Sequence, residues 1–295
     1  MGEVSGDADR LKQADARSYD ATASEFDVLT DRYSTAIAAR MLHIADVGQG
    51  ARLLDLGTGT GLLARRAAER GANVVGIDHS EGMLGRARAK SEAAGLADRT
   101  TFKAMDAEAL QLEGGSFDVV ASLYVLRHLP NPQAAIREMH RVLRPGGRLI
   151  AAVGARPSPL STDGVGAATD RVMAAMGRRA LSPTYLRNFL DEEDVPPSKG
   201  HAAHHGNGDV GGMLSAAGFR SLRQTWWSER YLLLPQEFWD VQAVFDSEAR
   251  ERLTSLPDAR VAELKQRFIE EGQTLTKRGV SLVYRTGAAI YSAER

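Results

Sequence analysis

Short apolar runs and longer amphipathic stretches take turns along much of the chain. Ala51–Leu56 is a compact apolar run, the pattern of a strand buried on both faces, and Leu62–Arg70 behind it reads as a helix. Asn73–Ile77 is a second such run. Ser80 can cap a helix over Glu81–Ala94, with Gly95 as its stop. Gly114 and Gly115 turn the chain into a strand over Phe117–Tyr124. Asn131 and Pro132 then begin a helix whose apolar face is Ala135, Ile136, Met139, Val142 and Leu143. Pro145-Gly146-Gly147 closes that helix, and Arg148–Val153 is the next strand. Phe219–Leu234 and Ser281–Ala293 are strand-like, and Pro235–Gly279 between them is helical, with Val261, Leu264, Phe268 and Ile269 on one face.

Both ends of this regular stretch differ from it. Met1–Arg17 is polar and predicts a mobile lead, whereas Ser18–Val47 is helical, with Tyr33, Ile37, Met41, Ile44 and Ala45 on one side. Segment 155–208 breaks the rhythm with Pro157, Pro159, Pro183, Pro196 and Pro197 and one expected helix around Gly166–Gly177. A stretch of that length is a candidate lid or substrate wall.

Between the first strand and its helix stand Gly57, Gly59 and Gly61, in the run Asp55-Leu-Gly-Thr-Gly-Thr-Gly61. Three residues without Cβ let a ligand touch bare backbone, and the following helix offers free N–H groups. The spacing is not that of a dinucleotide fingerprint, because Leu62 stands where the third glycine belongs. Asp55, two residues before the first glycine, would repel a pyrophosphate yet accept hydrogen bonds from an ammonium group. Asp78 follows the second strand, 19 residues after Gly59, the spacing at which a carboxylate reaches ribose hydroxyls. The implied ligand carries a ribose and an amino group and needs no phosphate.

These residues, with Gly76-Ile-Asp78-His-Ser80, resemble motif I and its successor in the class I S-adenosylmethionine (SAM) methyltransferases. Met105-Asp106-Ala107 resembles that family's adenine-contact turn, Arg141-Val-Leu-Arg-Pro-Gly-Gly147 its turn before strand five, and Ala217-Gly-Phe219 its lead-in to strand six. The pattern is nearest the quinone-biosynthesis and natural-product branches. The resemblance implies an α/β, Rossmann-like, doubly wound sheet of seven strands in the order 3-2-1-4-5-7-6, strand seven antiparallel, with helical lid insertions. Four regions follow: a helical cover over 1–45, a SAM-binding core over 46–155, a lid over 156–208, and a C-terminal half over 209–295 with an insertion at 235–279.

The cofactor implied is SAM, leaving S-adenosylhomocysteine. Its expected contacts are Asp55, Gly57, Thr58, Gly59, Gly61, Asp78, His79, Met83, Asp106, Ala107 and Ser122, with Tyr19 and Phe26 as a cover. Tyr19 and Phe26 can equally pack the arm, and Met83 can equally be core. Tyr124, Arg127 and His128 leave the carboxyl end of strand four, where ligands bind in open α/β sheets. His128 is the candidate base, or a brace for its loop. Arg127 is suited to hold an anionic substrate or to pair with a helix carboxylate. Phe238 and Trp239 are candidates either for a substrate pocket or for anchoring the insertion.

Composition narrows the partners. Lys+Arg 37 nearly cancels Asp+Glu 38 and no basic block favours nucleic acid, while the absence of cysteine excludes disulfides, thiolate zinc sites and methyl transfers through a cysteine adduct. His201, His204 and His205 cluster without the spacing of a familiar metal site, so no metal is expected. No apolar run is long enough to span a membrane, and the polar N-terminus is unlike a signal peptide, so the expectation is a cytoplasmic enzyme. The predicted partner is a small-molecule methyl acceptor, apolar or ring-containing, methylated on O, N or C, with the protein a monomer or homodimer. The alternatives are a SAM-binding protein that transfers no methyl group and, behind it, a protein or nucleic-acid methyltransferase.

Overall fold

A computed structural model describes residues 2–154, 185–197 and 209–295. The sheet has seven strands: β1 (Arg52–Leu56), β2 (Asn73–Asp78), β3 (Thr100–Ala104), β4 (Phe117–Leu123), β5 (Leu143–Gly154), β6 (Arg220–Leu232) and β7 (Val283–Glu294). Their order is β3-β2-β1-β4-β5-β7-β6. β1 pairs in parallel with β2 and β4, β2 with β3 and β4 with β5, while β7 runs antiparallel to β5. The strand order and the reversed seventh strand agree with expectation.

Helices α1 (Gly2–Ile44), α2 (Leu62–Glu69) and α3 (Glu81–Ala93) pack together, and α2 and α3 lie on β1, β2 and β3. α4 (Pro132–Val142) packs on β5 and on α6 (Val210–Ala216). α1 is held against α2, α3 and β5 by a buried side, in which Tyr33, Ile37, Met41 and Leu42 are fully buried, as the helical period predicted for three of the four. Around α4, Val120 and Leu149 of the sheet meet Ile136, Met139 and Leu214 in one apolar cluster. Each such buried side chain contributes about 1.5–3 kcal/mol. α4 starts where Asn131 accepts from Ala134 N at 3.1 Å with Pro132 next, and α3 where Ser80 accepts from Met83 N at 3.0 Å.

Two boundaries differ from the sequence reading. β5 begins at Leu143 rather than Arg148, because Leu143 pairs with Phe117 before the register shifts and resumes at Val119–Arg148. Of the 1–17 lead, expected to be mobile, residues 2–17 form the start of α1, and Lys12 in it reaches two carboxylates described below.

The chain divides into two units: Met1–Ala155 with His204–Thr225 and Ala288–Arg295, and Arg156–Ala203 with Trp226–Gly287. In the second, α5 (Tyr185–Glu192), α7 (Pro235–Phe245), α8 (Ser247–Thr254) and α9 (Asp258–Lys277) gather around aromatic side chains. Phe268 meets Phe189 and Trp239 edge-on, each with centroids 5.3 Å away. Phe238 and Trp239 are both buried, so they anchor the insertion. The buried Arg252 side chain pairs with Asp191 at 2.8 Å. The expected helix around 166–177 and His201, His204 and His205 lie outside the described residues.

Candidate cofactor and acceptor site

The loop after β1 bends through three left-handed glycines, Gly57 at φ +70°, Gly59 at +55° and Gly61 at +79°. Their reasons differ. A Cβ at Gly57 would lie 2.2 Å from Val125 Cγ2, and one at Gly61 2.9 Å from Ala87 Cβ, so these two glycines let the protein close on itself. At Gly59 the nearest atom to an added Cβ is Phe26 Cε1, at 3.8 Å. Space is left over the central glycine alone, under the ring of α1 expected to cover it.

Asp78 supplies the wall beside that space. At the end of β2 it accepts from Gly59 N at 2.8 Å and Ser80 N at 3.0 Å. Burial raises its pKa, opposed by the N–H groups of Ser80, Gly59 and His79. As a whole residue Asp78 is intermediate in exposure, whereas Asp55 is 1% exposed. Asp55 accepts from Thr58 Oγ1 at 2.7 Å and from the Ala64 N–H, tying the loop to α2. Burial pushes its carboxyl up to about 7, against those hydrogen bonds, and Asp78 adds a smaller upward push. Thr58 is itself buried, its N–H bonded to Ile77 O at 2.8 Å.

The turn after β3 carries Asp106, whose oxygens accept from Lys12 Nζ at 2.8 Å and Glu108 N at 2.8 Å. Burial would raise its pKa, but Lys12 and the Glu108 N–H outweigh that and hold it below the usual range. His79 Nε2 stands 3.6 Å from Asp106, with the ring 41% exposed. Met83 is buried in the first turn of α3, and Ala107 is buried in the α4-side core. Lys12 also bonds Glu108 at 2.6 Å, and Asp20 of α1 accepts from Ser80 Oγ and from Gly82 N at 3.0 Å. Sequence reasoning missed Lys12, Asp20 and Glu108, since nothing local marks a pair 94 residues apart.

The end of β4 holds the remaining candidates. Ser122 pairs with Ala151 in the sheet, is 1% exposed, and its hydroxyl has no hydrogen-bond partner among the described residues. Tyr124 leaves the strand at φ +64°, a conformation that costs a non-glycine residue about 1–2 kcal/mol. Arg127 Nη1 donates to Gly154 O at 3.2 Å. The His128 ring meets Tyr19 edge-on with centroids 6.0 Å apart, and Tyr19 meets Phe26 at 5.4 Å. The structure thus brings Tyr19, Phe26 and His128 into one chain of ring contacts, with Phe26 on the side of Gly59 where a Cβ would point. Among the described residues no cluster of metal-binding side chains is present, and no helix is long and apolar enough to cross a membrane.

A SAM-like ligand fits these residues: the open backbone at Gly59 and the adjoining Asp78 carboxylate are what an unphosphorylated nucleoside requires. A family profile described as a methyltransferase domain matches residues 54–151. The chain is 41% identical over 102 residues to the ubiquinone biosynthesis O-methyltransferase of Pseudomonas aeruginosa, covering 34% of this chain and 43% of that one. It is 34% identical over 194 residues to the demethylmenaquinone methyltransferase of Clavibacter sepedonicus, covering 65% and 74%. The match to the ubiquinone-type relative thus spans less than half of that protein's length. A solved structure from Bacillus halodurans C-125 superposes with a TM-score of 0.55 at 23% identity, over 87% of this chain and 97% of that one, and supports the fold.

Proposed function

The chain belongs to the class I SAM-dependent methyltransferase family, and from that premise we propose that it moves a methyl group from SAM to an oxygen, nitrogen or carbon atom of a small, ring-containing metabolite. The observation that carries this reading is the pairing of Gly59 with Asp78: one N–H is already bonded to the carboxylate, and the space above the glycine is open. Asp78 would hold the ribose hydroxyls and Asp106 the adenine amino group, with the Gly57–Gly61 loop beneath. The names of the relatives, for ubiquinone and menaquinone biosynthesis, favour a quinol-type acceptor.

When bound, the sulfonium supplies a methyl carbon whose bond to sulfur breaks as the bond to the acceptor forms. The chain's own work is to align and dehydrate the acceptor, which can be worth several kcal/mol and up to about 7–11. A phenolic or carbon acceptor must also lose a proton. His128 is the side chain we assign to that task, with Tyr19 edge-on beside it.

Calorimetry with S-adenosylhomocysteine tests the cofactor half. The wild type should bind it, and Asp78→Ala should bind at least tenfold more weakly, since a charge-assisted hydrogen bond is lost. Binding of NAD in place of S-adenosylhomocysteine would overturn the proposal. Transfer of label from methyl-tritiated SAM to a quinol tests the other half, and a chain that binds SAM but labels no acceptor is a SAM-binding protein of another kind.

A further inference from the structure

Arg127 carries a guanidinium to the carboxyl end of β4 and β5, where it has one neutral partner, the Gly154 carbonyl at 3.2 Å. Among the described residues no carboxylate lies within ion-pair distance of it, and its Nε is buried without a hydrogen-bond partner. Other arginines of the same unit are served differently. Arg65 pairs with Asp31 at 2.8 Å, Arg141 with Glu138 at 2.7 Å, Arg144 with Asp118 at 2.9 Å and Arg148 with Asp46 at 3.2 Å. A half-buried guanidinium with five donors and one carbonyl partner is matched in charge by an anion, which it binds in charge-assisted hydrogen bonds.

The surroundings say what sort of anion. A Cβ added at Gly154 would lie 3.1 Å from Arg127 Nη1 and 3.8 Å from Tyr124 Cδ1, so the guanidinium and the phenol ring border the same bare stretch of backbone. Tyr124 is held there at φ +64° despite the strain. A ring laid against Tyr124 would bring a substituent to Arg127.

We infer that Arg127 is a substrate-reading residue that binds an anionic oxygen, carried as a carboxylate or as an ionised phenol or enol, on a ring-bearing acceptor. This rests on the methyltransferase reading and adds to it the charge of the acceptor. Of the two roles open to Arg127 in the sequence, pairing with a helix carboxylate is not the one adopted among the described residues.

The test uses the full chain saturated with S-adenosylhomocysteine and probes of known charge. Calorimetric affinities are measured for benzoate against benzamide, and for 4-nitrophenolate, above its ionisation, against 4-nitroanisole. The wild type should prefer at least one anion over its neutral counterpart by about ten- to a hundredfold, the worth of a charged hydrogen bond. Which pair shows it separates the carboxylate from the phenolate. Arg127→Gln should abolish the preference and Arg127→Lys retain part of it, with S-adenosylhomocysteine affinity unchanged within about twofold in both. Equal binding of anion and neutral probe by the wild type, or no binding of either, overturns the inference alone and needs no variant. Failure of S-adenosylhomocysteine to bind the wild type overturns the methyltransferase reading, and the inference with it. A preference that survives in Arg127→Gln assigns the anion to another residue.

Discussion

Replacing Gly57 by alanine puts a methyl group where Val125 already is. The added Cβ would stand 2.2 Å from Val125 Cγ2, 2.7 Å from Cγ1 and 3.0 Å from Cβ, and the backbone would remain at φ +70°. The left-handed conformation costs about 1–2 kcal/mol for a residue with a side chain. Overpacking against a short, stiff side chain costs about 1–3 kcal/mol more. Gly57→Ala should therefore lose about 2–5 kcal/mol, read from urea unfolding followed by circular dichroism. Gly59→Ala is the control, since its Cβ would meet only Phe26, at 3.8 Å. It should lose about 1–2 kcal/mol of stability, yet bind S-adenosylhomocysteine at least tenfold more weakly because its methyl group fills the ligand's space. Val125→Ala removes both close methyl groups. In that background the cost of Gly57→Ala should fall by about 1–3 kcal/mol, a coupling that a double-mutant cycle measures. A Gly57→Ala penalty no larger than that of Gly59→Ala, or zero coupling to Val125, would refute the reasoning that different neighbours demand the two glycines.

Three further outcomes follow from other parts of the structure. Asp55 has its folded pKa raised to about 7 from 3.8, so the ligand-free protein should lose stability as pH rises from about 4 to 7, by up to about 1.4 kcal/mol per unit; Asp55→Asn should flatten that difference in urea midpoints, and parallel pH profiles would exclude it. Lys12→Ala should speed hydrogen exchange in the first third of α1 while Ile37–Met41 stays protected, because Asp106 and Glu108 lose their shared cation at 2.8 and 2.6 Å. Phe238→Ala, at a side chain 1% exposed, should cost about 3–5 kcal/mol in the second unit with S-adenosylhomocysteine affinity unchanged, and a specific loss of affinity would contradict its anchoring role.

The sheet was legible because its signals are local. Ala51–Leu56, Asn73–Ile77 and Phe117–Tyr124 are apolar runs closed by turn residues, and Ser80 and Asn131 cap the helices they were expected to cap. Position along the chain was enough to set Asp78 beside Gly59, since each ends or follows its own parallel strand. What stayed illegible depends on partners distant in sequence. The lead into α1 has no apolar period, and its reach to Asp106 and Glu108 is an ion-pair contact across more than ninety residues. Phe238 and Trp239 have the composition of a binding pocket, and only the placement of Phe268, on another helix, makes them core. β5 reaches back to Leu143 because of one bridge to Phe117, which no proline–glycine rule foresees.

The sequence reading gave Asp55 an ammonium group and Asp78 the ribose hydroxyls, and the structure sets the two carboxylates in different surroundings. Asp55 is sealed, with Thr58 and the first turn of α2 bonded to it. The ammonium contact expected of it has little exposed carboxylate to use. Asp78 bonds Gly59 and Ser80, and as a residue it is less deeply buried than Asp55, in keeping with the direct ribose contact proposed for it. The same logic separates the two ends of the site. At the Gly59–Asp106 end the polar groups already hold one another: Lys12 with Asp106, Asp20 with Ser80, Gly59 with Asp78. At the β4–β5 end, Arg127 has only a carbonyl, and the Ser122 hydroxyl has no partner among the described residues. On the reading proposed above, the first end is preorganised for the cofactor, which needs little adjustment. On the same reading, the second keeps its hydrogen-bonding capacity in reserve for the acceptor.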